Sequence, residues 1–218
     1  MQVVVAVGKG GGAKTTTLVN LAAVAANNAR LVGMIDADPQ ASLCQWRGTR
    51  GKSVIRVVPC RDGDDLVGKV EEARLAGIEW LFIDTSPALG AHTLTAIRLA
   101  HIVVVPTRPA TLDLLVTLRR VELLRTMNRD FACVISAAPP RRAGVDAPFV
   151  RQTRDSLRQA GARPWIGQIT HRHSIVQALI EGKGVIESEP DGPAAQEFIR
   201  LWGDIETHAS TTHQRRQQ

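Results

Sequence analysis

Residues 3–27 constrain this chain more than any other segment. VVVAV at 3–7 is a short β-branched run ended by Gly8, GKGGGAKTTT follows at 8–17, and residues 15–27 read as a helix rich in Ala and Leu. A strand, a glycine-rich loop and a helix in that order make a cradle for an anion. Glycines let successive backbone N–H groups curl inward, and the helix start adds its partial positive charge. The pattern G-x-x-x-x-G-K-[ST] holds with one departure, Ala13 in place of the second glycine. A methyl group there crowds the loop or restricts its dihedrals. The expected phosphate-binding positions are Gly10, Gly11, Gly12, Ala13, Lys14, Thr15 and Thr16. Lys14 is expected at the β- and γ-phosphates, the Thr15 hydroxyl on Mg²⁺ and Thr16 at the α-phosphate.

The rest of the chain repeats the alternation. Short apolar runs at 31–35, 54–58, 80–83, 102–105 and 131–135 are separated by helical patterns near 62–76, 91–100, 111–127 and 146–160. Continuous apolar strands between helices predict a doubly wound α/β fold, a mostly parallel sheet with helices on both faces. Ligands then bind where strands end. Two runs end in carboxylates: 31–38 reaches Asp36 and Asp38 in the segment DADPQ, and LFID at 81–84 ends at Asp84, 70 residues after Lys14. A single aspartate after a strand is an ordinary turn residue. Three of them beside a phosphate loop fit carboxylates that hold magnesium waters and position an attacking water.

Further helices fit 174–182 and 194–208. In the last, Phe198, Leu201, Trp202 and Ile205 share a face opposite Glu197, Arg200 and Asp204. That polar face lacks the Lys/Arg excess of a membrane-surface helix, so packing onto the sheet is expected. With 218 residues, 44% of them apolar, and no internal repeat or linker, residues 1–208 are expected to be one domain and the polar 209–218 a flexible tail. No apolar run approaches the ~18 residues of a membrane span. Residues 1–7 lack a basic n-region, so no signal peptide is expected. Cys44, Cys60 and Cys133 have no metal-ligand spacing and read as reduced thiols, consistent with a cytoplasmic protein. No tyrosine is present, which excludes its phosphorylation.

The net charge of +6 is uneven. Of 27 basic residues 22 are Arg, yet two of the five lysines, Lys9 and Lys14, fall in the glycine loop. From 141 to 172 seven arginines face only Asp146 and Asp155. Arg151, Arg154 and Arg158 fall at i, i+3 and i+7, one stripe of a helix that could meet DNA phosphates or simply face solvent. No aromatic residue interleaves with them, so contact with a duplex backbone is favoured over base stacking.

Lys9 in the loop, DADPQ and the strand ending at Asp84 resemble the deviant Walker A ATPases of the ParA/MinD family, nearest to the small plasmid-partition ParA proteins of the ParF type. The likeness extends through VPTRPATLDL at 105–114, ITHR at 169–172 and ALIEGKGV at 178–185, about residues 1–205 in all. It departs at Ala13 and at Thr85, Ser86 and Pro87. The resemblance implies an ATP-dependent homodimer in which Lys9 reaches the partner's phosphates. It implies catalytic roles for Lys9, Lys14 and Asp38, with Asp38 tied to hydrolysis, and Mg²⁺ near Asp36, Asp84 and Thr15. Adenine is expected against Pro139 and the 139–142 and 170–176 loops.

Family members of this type bind double-stranded DNA without sequence preference when ATP-bound, which implicates Arg151, Arg154, Arg158 and Arg172. A ParB-like centromere-binding partner would stimulate slow hydrolysis and release the dimer. The implied role is DNA segregation by a cytoplasmic protein that associates with the nucleoid when ATP-bound, without stable membrane association. Positioning of another cargo, or accessory work in conjugative DNA transfer, is the alternative. A membrane-site regulator of the MinD kind, an iron–sulfur reductase dimer and a small-molecule kinase fit less well. Each needs a feature this sequence does not supply or leaves Lys9 and DADPQ without a role.

Overall fold

The structure, a computed structural model, describes residues 1–51, 54–61 and 65–215. Six parallel strands form one sheet in the order β3-β2-β4-β1-β5-β6. They are β1 (Gln2–Ala6), β2 (Val32–Ala37), β3 (Arg56–Pro59), β4 (Trp80–Thr85), β5 (Ile102–Thr107) and β6 (Phe131–Ile135). The apolar runs read from the sequence correspond to these strands, and the doubly wound α/β fold is as expected.

The strand alternation divides the core in two. Val4 and Ala6 of β1 join Met34, Phe82 and Val104 under α1 (Lys14–Asn27) and α9 (Pro193–Arg215). Val3, Val5 and Val7 join Ile35, Ile83 and Val105 on the other face. There α3 (Leu66–Leu75), α4 (Ala91–Leu99), α5 (Thr111–Thr126) and α6 (Pro148–Gln159) supply the cover. Side chains of alternating residues leave opposite faces of a strand, so a strand apolar at every position must be covered twice.

Phe198, Leu201, Trp202 and Ile205 of α9 are buried as expected, and Trp202 meets Trp80 edge to face with ring centroids 4.4 Å apart. This packing makes α9, from Ala194 to Ala209, a wall of the core as expected. Glu197 differs: it is buried rather than solvent-facing. Helix α9 continues to Arg215, past position 208 where the sequence pattern ends, so most of the expected tail is helical backbone. Residues 216–218, and 62–64 of the helix expected at 62–76, lie outside the described residues. Among the described residues three short helices remain: α2 (Ser42–Thr49), α7 (His173–Ile180) and α8 (Val185–Ser188). Neither α2 nor α8 is expected from the sequence. Helix α2 buries only Leu43 and Trp46, too few for a periodic signal.

Candidate functional site

Strand order positions the site. β1 lies between β4 and β5, so the loop after β1 opens between the ends of both neighbours. Gly8 through Ala13 turn around that gap and feed α1. Two loop residues have left-handed backbone, Gly11 at φ +71° and Ala13 at φ 70°. Glycine occupies that region freely; alanine does so at a cost. A Cβ on Gly12 would sit 3.0 Å from the Lys9 carbonyl oxygen, so that position needs the missing side chain. The effect expected of alanine in place of glycine at position 13 is thus realised as backbone strain at the start of α1.

Lys14 is 6% exposed. Burial pushes its ammonium below the usual lysine range, opposed by the carboxylates of Asp84 and Asp38. The register of β2 and β4 sets Asp36 directly beside Asp84. Asp84 is fully buried and accepts a hydrogen bond from the Thr15 hydroxyl on Oδ2, while Oδ1 is buried without a partner. Desolvation raises its carboxyl to about 6. A buried carboxylate oxygen with nothing to accept is a place for a hard cation. Thr15, Asp84 and Asp38 offer only oxygen donors, which suits Mg²⁺. Among the described residues no group of three His, Cys, Asp or Glu could hold a metal by itself, so such an ion would need phosphate oxygens as well.

Asp36, expected near the metal, stands beside Asp84 and holds backbone donors. Both its oxygens accept backbone N–H bonds, from Asp38 at 3.2 Å and from Cys44 at 2.8 Å. It ties the DADPQ turn to the start of α2. Asp38 in turn accepts from the Gln40 N–H at 3.0 Å.

A cleft of about 1120 Å³ runs from this loop across the strand ends. Its wall includes Gly10, Gly11, Ala13, Lys14, Thr15, Thr16 and Asp38, so these expected site residues share one wall, while Gly12 is not part of it. Its far end is lined by Ser136, Ala137, Ile169, Thr170, His171, Arg172, Ile175 and Val176. The 170–176 segment is therefore on the wall. Pro139 is not; it is exposed, and its carbonyl accepts from the Gln168 side chain at 2.9 Å. Lys9 also stays off the cleft wall. Its Nζ pairs with Asp113 Oδ2 of α5 at 3.0 Å.

One expected DNA contact, Arg154, is corrected, and another, Arg172, is found in an ion pair. Arg154 is 5% exposed, paired with Asp146 at 2.7 Å, and donates to the carbonyls of Trp165 and Gly167. The i, i+3, i+7 stripe straddles the boundary between the solvent-facing and core-facing sides of α6, and its middle member faces inward. Arg172 pairs with Glu197 at 3.0 Å on the cleft wall, with Glu197 also accepting from Thr170 N–H at 2.7 Å. Arg151 and Arg158 are exposed on α6, the latter paired with Asp155. Asp113, Arg108 and Glu197 carry no role predicted from the sequence, although the first two stand in the 105–114 segment that bears the family likeness.

A parallel doubly wound sheet with a phosphate loop after β1 and buried carboxylates at neighbouring strand ends defines a P-loop nucleotide-binding protein. The chain belongs to the CobQ/CobB/MinD/ParA nucleotide binding domain family, matched over residues 3–205. It is 31% identical over 212 residues to the maintenance of carboxysome distribution protein A of Gloeobacter kilaueensis, covering 89% of this chain and 92% of that one. It is 27% identical to the chromosome-partitioning ATPase Soj of Thermus thermophilus, covering 90% and 92%. The septum site-determining protein MinD of Pyrococcus horikoshii, solved with Mg-ADP, superposes with a TM-score of 0.77 at 17% identity, covering 97% and 99%. These likenesses establish the family without singling out the ParF type. No described helix is long and apolar enough to cross a membrane.

Proposed function

We propose that this chain is an ATP-dependent positioning ATPase of the ParA kind, a deviant Walker A protein that dimerises on ATP and Mg²⁺. The observation that carries the proposal is Lys9. It is a second cation in the phosphate loop, partly exposed and outside its own cleft, which suits a lysine that serves a facing copy. Lys14, at the cleft floor, serves the chain's own β- and γ-phosphates. Thr15 and Asp84 hold Mg²⁺, which neutralises phosphate charge when bound. Asp38 orients the water that attacks the γ-phosphate.

The dimer binds non-specific double-stranded DNA, and a ParB-like partner stimulates hydrolysis and releases it. On α6 the available contacts are Arg151 and Arg158. The protein is cytoplasmic and nucleoid-associated in its ATP state. The cargo is DNA in a partition system; the similarity to a carboxysome distribution protein supports a second reading, in which a different cargo is positioned on the same DNA-bound dimer.

The test measures nucleotide binding, mass in solution and DNA retention with ATP and with ADP. Lys14→Ala should bind no nucleotide. Lys9→Ala should bind ATP as a monomer, and Asp38→Ala should dimerise and bind DNA without hydrolysis. Normal dimerisation and hydrolysis by Lys9→Ala would overturn the deviant Walker A assignment.

A further inference from the structure

Arg108 follows β5 and lies against the phosphate loop. Its Nη2 donates to the Gly11 carbonyl oxygen, and the side chain lines the cleft beside Gly10, Gly11 and Lys14. The neighbouring cations are each matched by acid: Lys9 by Asp113, Arg172 by Glu197, and Lys14 by Asp84 and Asp38. Arg108 has no carboxylate within ion-pair distance among the described residues. Among the described residues its guanidinium makes one hydrogen bond, to a neutral carbonyl, so a permanent charge and most of a five-donor fork remain uncommitted.

We propose that Arg108 is a phosphate-binding residue of this nucleotide site, contacting the γ-phosphate of ATP in cis. The inference rests on the nucleotide reading above. Three points carry it. The guanidinium is anchored to the loop itself, so its position follows the loop's. One donor on Gly11 leaves the rest of the planar fork for an anion's oxygens, the geometry at which arginine exceeds lysine. And the floor of the site is acid-rich: Asp36, Asp38 and Asp84 outnumber Lys14, so the outer phosphates need a cation from the rim. Arg108 is exposed at that rim, whereas Lys14 is buried at the floor. Arg108 therefore distinguishes a nucleotide with a third phosphate from one without it.

The experiment measures the affinity of wild-type protein, Arg108→Ala, Arg108→Gln and Arg108→Lys for a non-hydrolysable ATP analogue and for ADP, both with Mg²⁺, by calorimetry. Without the charge-assisted hydrogen bonds, Arg108→Ala should bind the ATP analogue about 10- to 100-fold more weakly, with ADP changed less than about twofold. Arg108→Gln keeps a donor for the Gly11 carbonyl but no charge, and should lose the ATP preference as Ala does; Lys should retain part of it. Equal weakening of ATP and ADP, or recovery by Gln, would reduce Arg108 to a support for the loop and overturn the proposal. So would unchanged affinities in all three variants. Failure of the wild type to bind either nucleotide would instead defeat the nucleotide reading itself.

Discussion

Lys9 Nζ and Asp113 Oδ2 lie 3.0 Å apart, joining the phosphate loop to the first turn of α5. In the proposed dimer Lys9 must leave this carboxylate to reach the facing nucleotide. The pair thus opposes closure, weakly, because the lysine is 41% exposed and screened by solvent. Arg120, further along the same helix, donates to the Pro87 carbonyl beyond Asp84.

Removing the restraint should favour the dimer. Asp113→Asn is expected to tighten ATP-dependent dimerisation about fivefold for each lysine released, the equivalent of about 1 kcal/mol. Sedimentation equilibrium with a non-hydrolysable analogue measures it. A weaker dimer would mean that Asp113 orients Lys9 for closure rather than holding it back.

Asp84 gives a pH signature. Its folded carboxyl, at about 6, stands above the ordinary value of 3.8, so the folded state holds the proton more tightly than the unfolded chain. Its contribution is greatest below pH ~4, falls as pH rises through ~6 and is flat beyond. Asp84→Asn fixes a neutral side chain and should stabilise the protein without nucleotide by up to about 3 kcal/mol at pH 7, and by little at pH 4. Denaturant unfolding of both proteins across that range should show the gap opening with pH; a gap independent of pH would refute the burial argument.

Ala13 holds a φ of 70° that glycine adopts without strain. Ala13→Gly should raise stability by about 0.5–1 kcal/mol. A lower melting temperature for the glycine variant would show that the alanine methyl contributes packing larger than the strain.

The α6 arginines should separate cleanly. Arg151→Ala with Arg158→Ala is expected to leave folding intact, weaken DNA binding and lower the slope of its salt dependence by about one for each phosphate no longer neutralised. Arg154→Ala should instead destabilise the fold by about 2–3 kcal/mol, because it leaves the Trp165 and Gly167 carbonyls without their donor and Asp146 with Arg141 as its remaining cation. Filter binding across salt and thermal unfolding of each variant check both halves.

The sequence is most legible where local chemistry and fold coincide. The loop from Gly8 to Thr17, the strand ending at Asp84 and the buried face of α9 can be read because glycine conformation, strand alternation and helical period each act over a few residues. Arg154 shows the limit. Its spacing matches that of an exposed stripe, and only the approach of the 165–167 carbonyls, supplied by tertiary packing, turns it inward. Glu197 turns inward for the same reason, since its partners Thr170 and Arg172 arrive from another segment. Asp36 is legible as a strand-end carboxylate, but its occupation by the N–H groups of Asp38 and Cys44 depends on a helix too short to show in sequence.

Helix α5 touches the nucleotide site at two points along its length, through Asp113 to Lys9 and through Arg120 to Pro87. Each tie is a single polar contact, and the one through Lys9 is the more exposed of the two to solvent screening. In the proposed dimer, a Lys9 that turns to the facing nucleotide frees the Asp113 end of α5 and leaves the Arg120 end tied to Pro87. That freed end carries the exposed Leu112 and Leu115 on either side of Asp113 in the chain, across the sheet from α1.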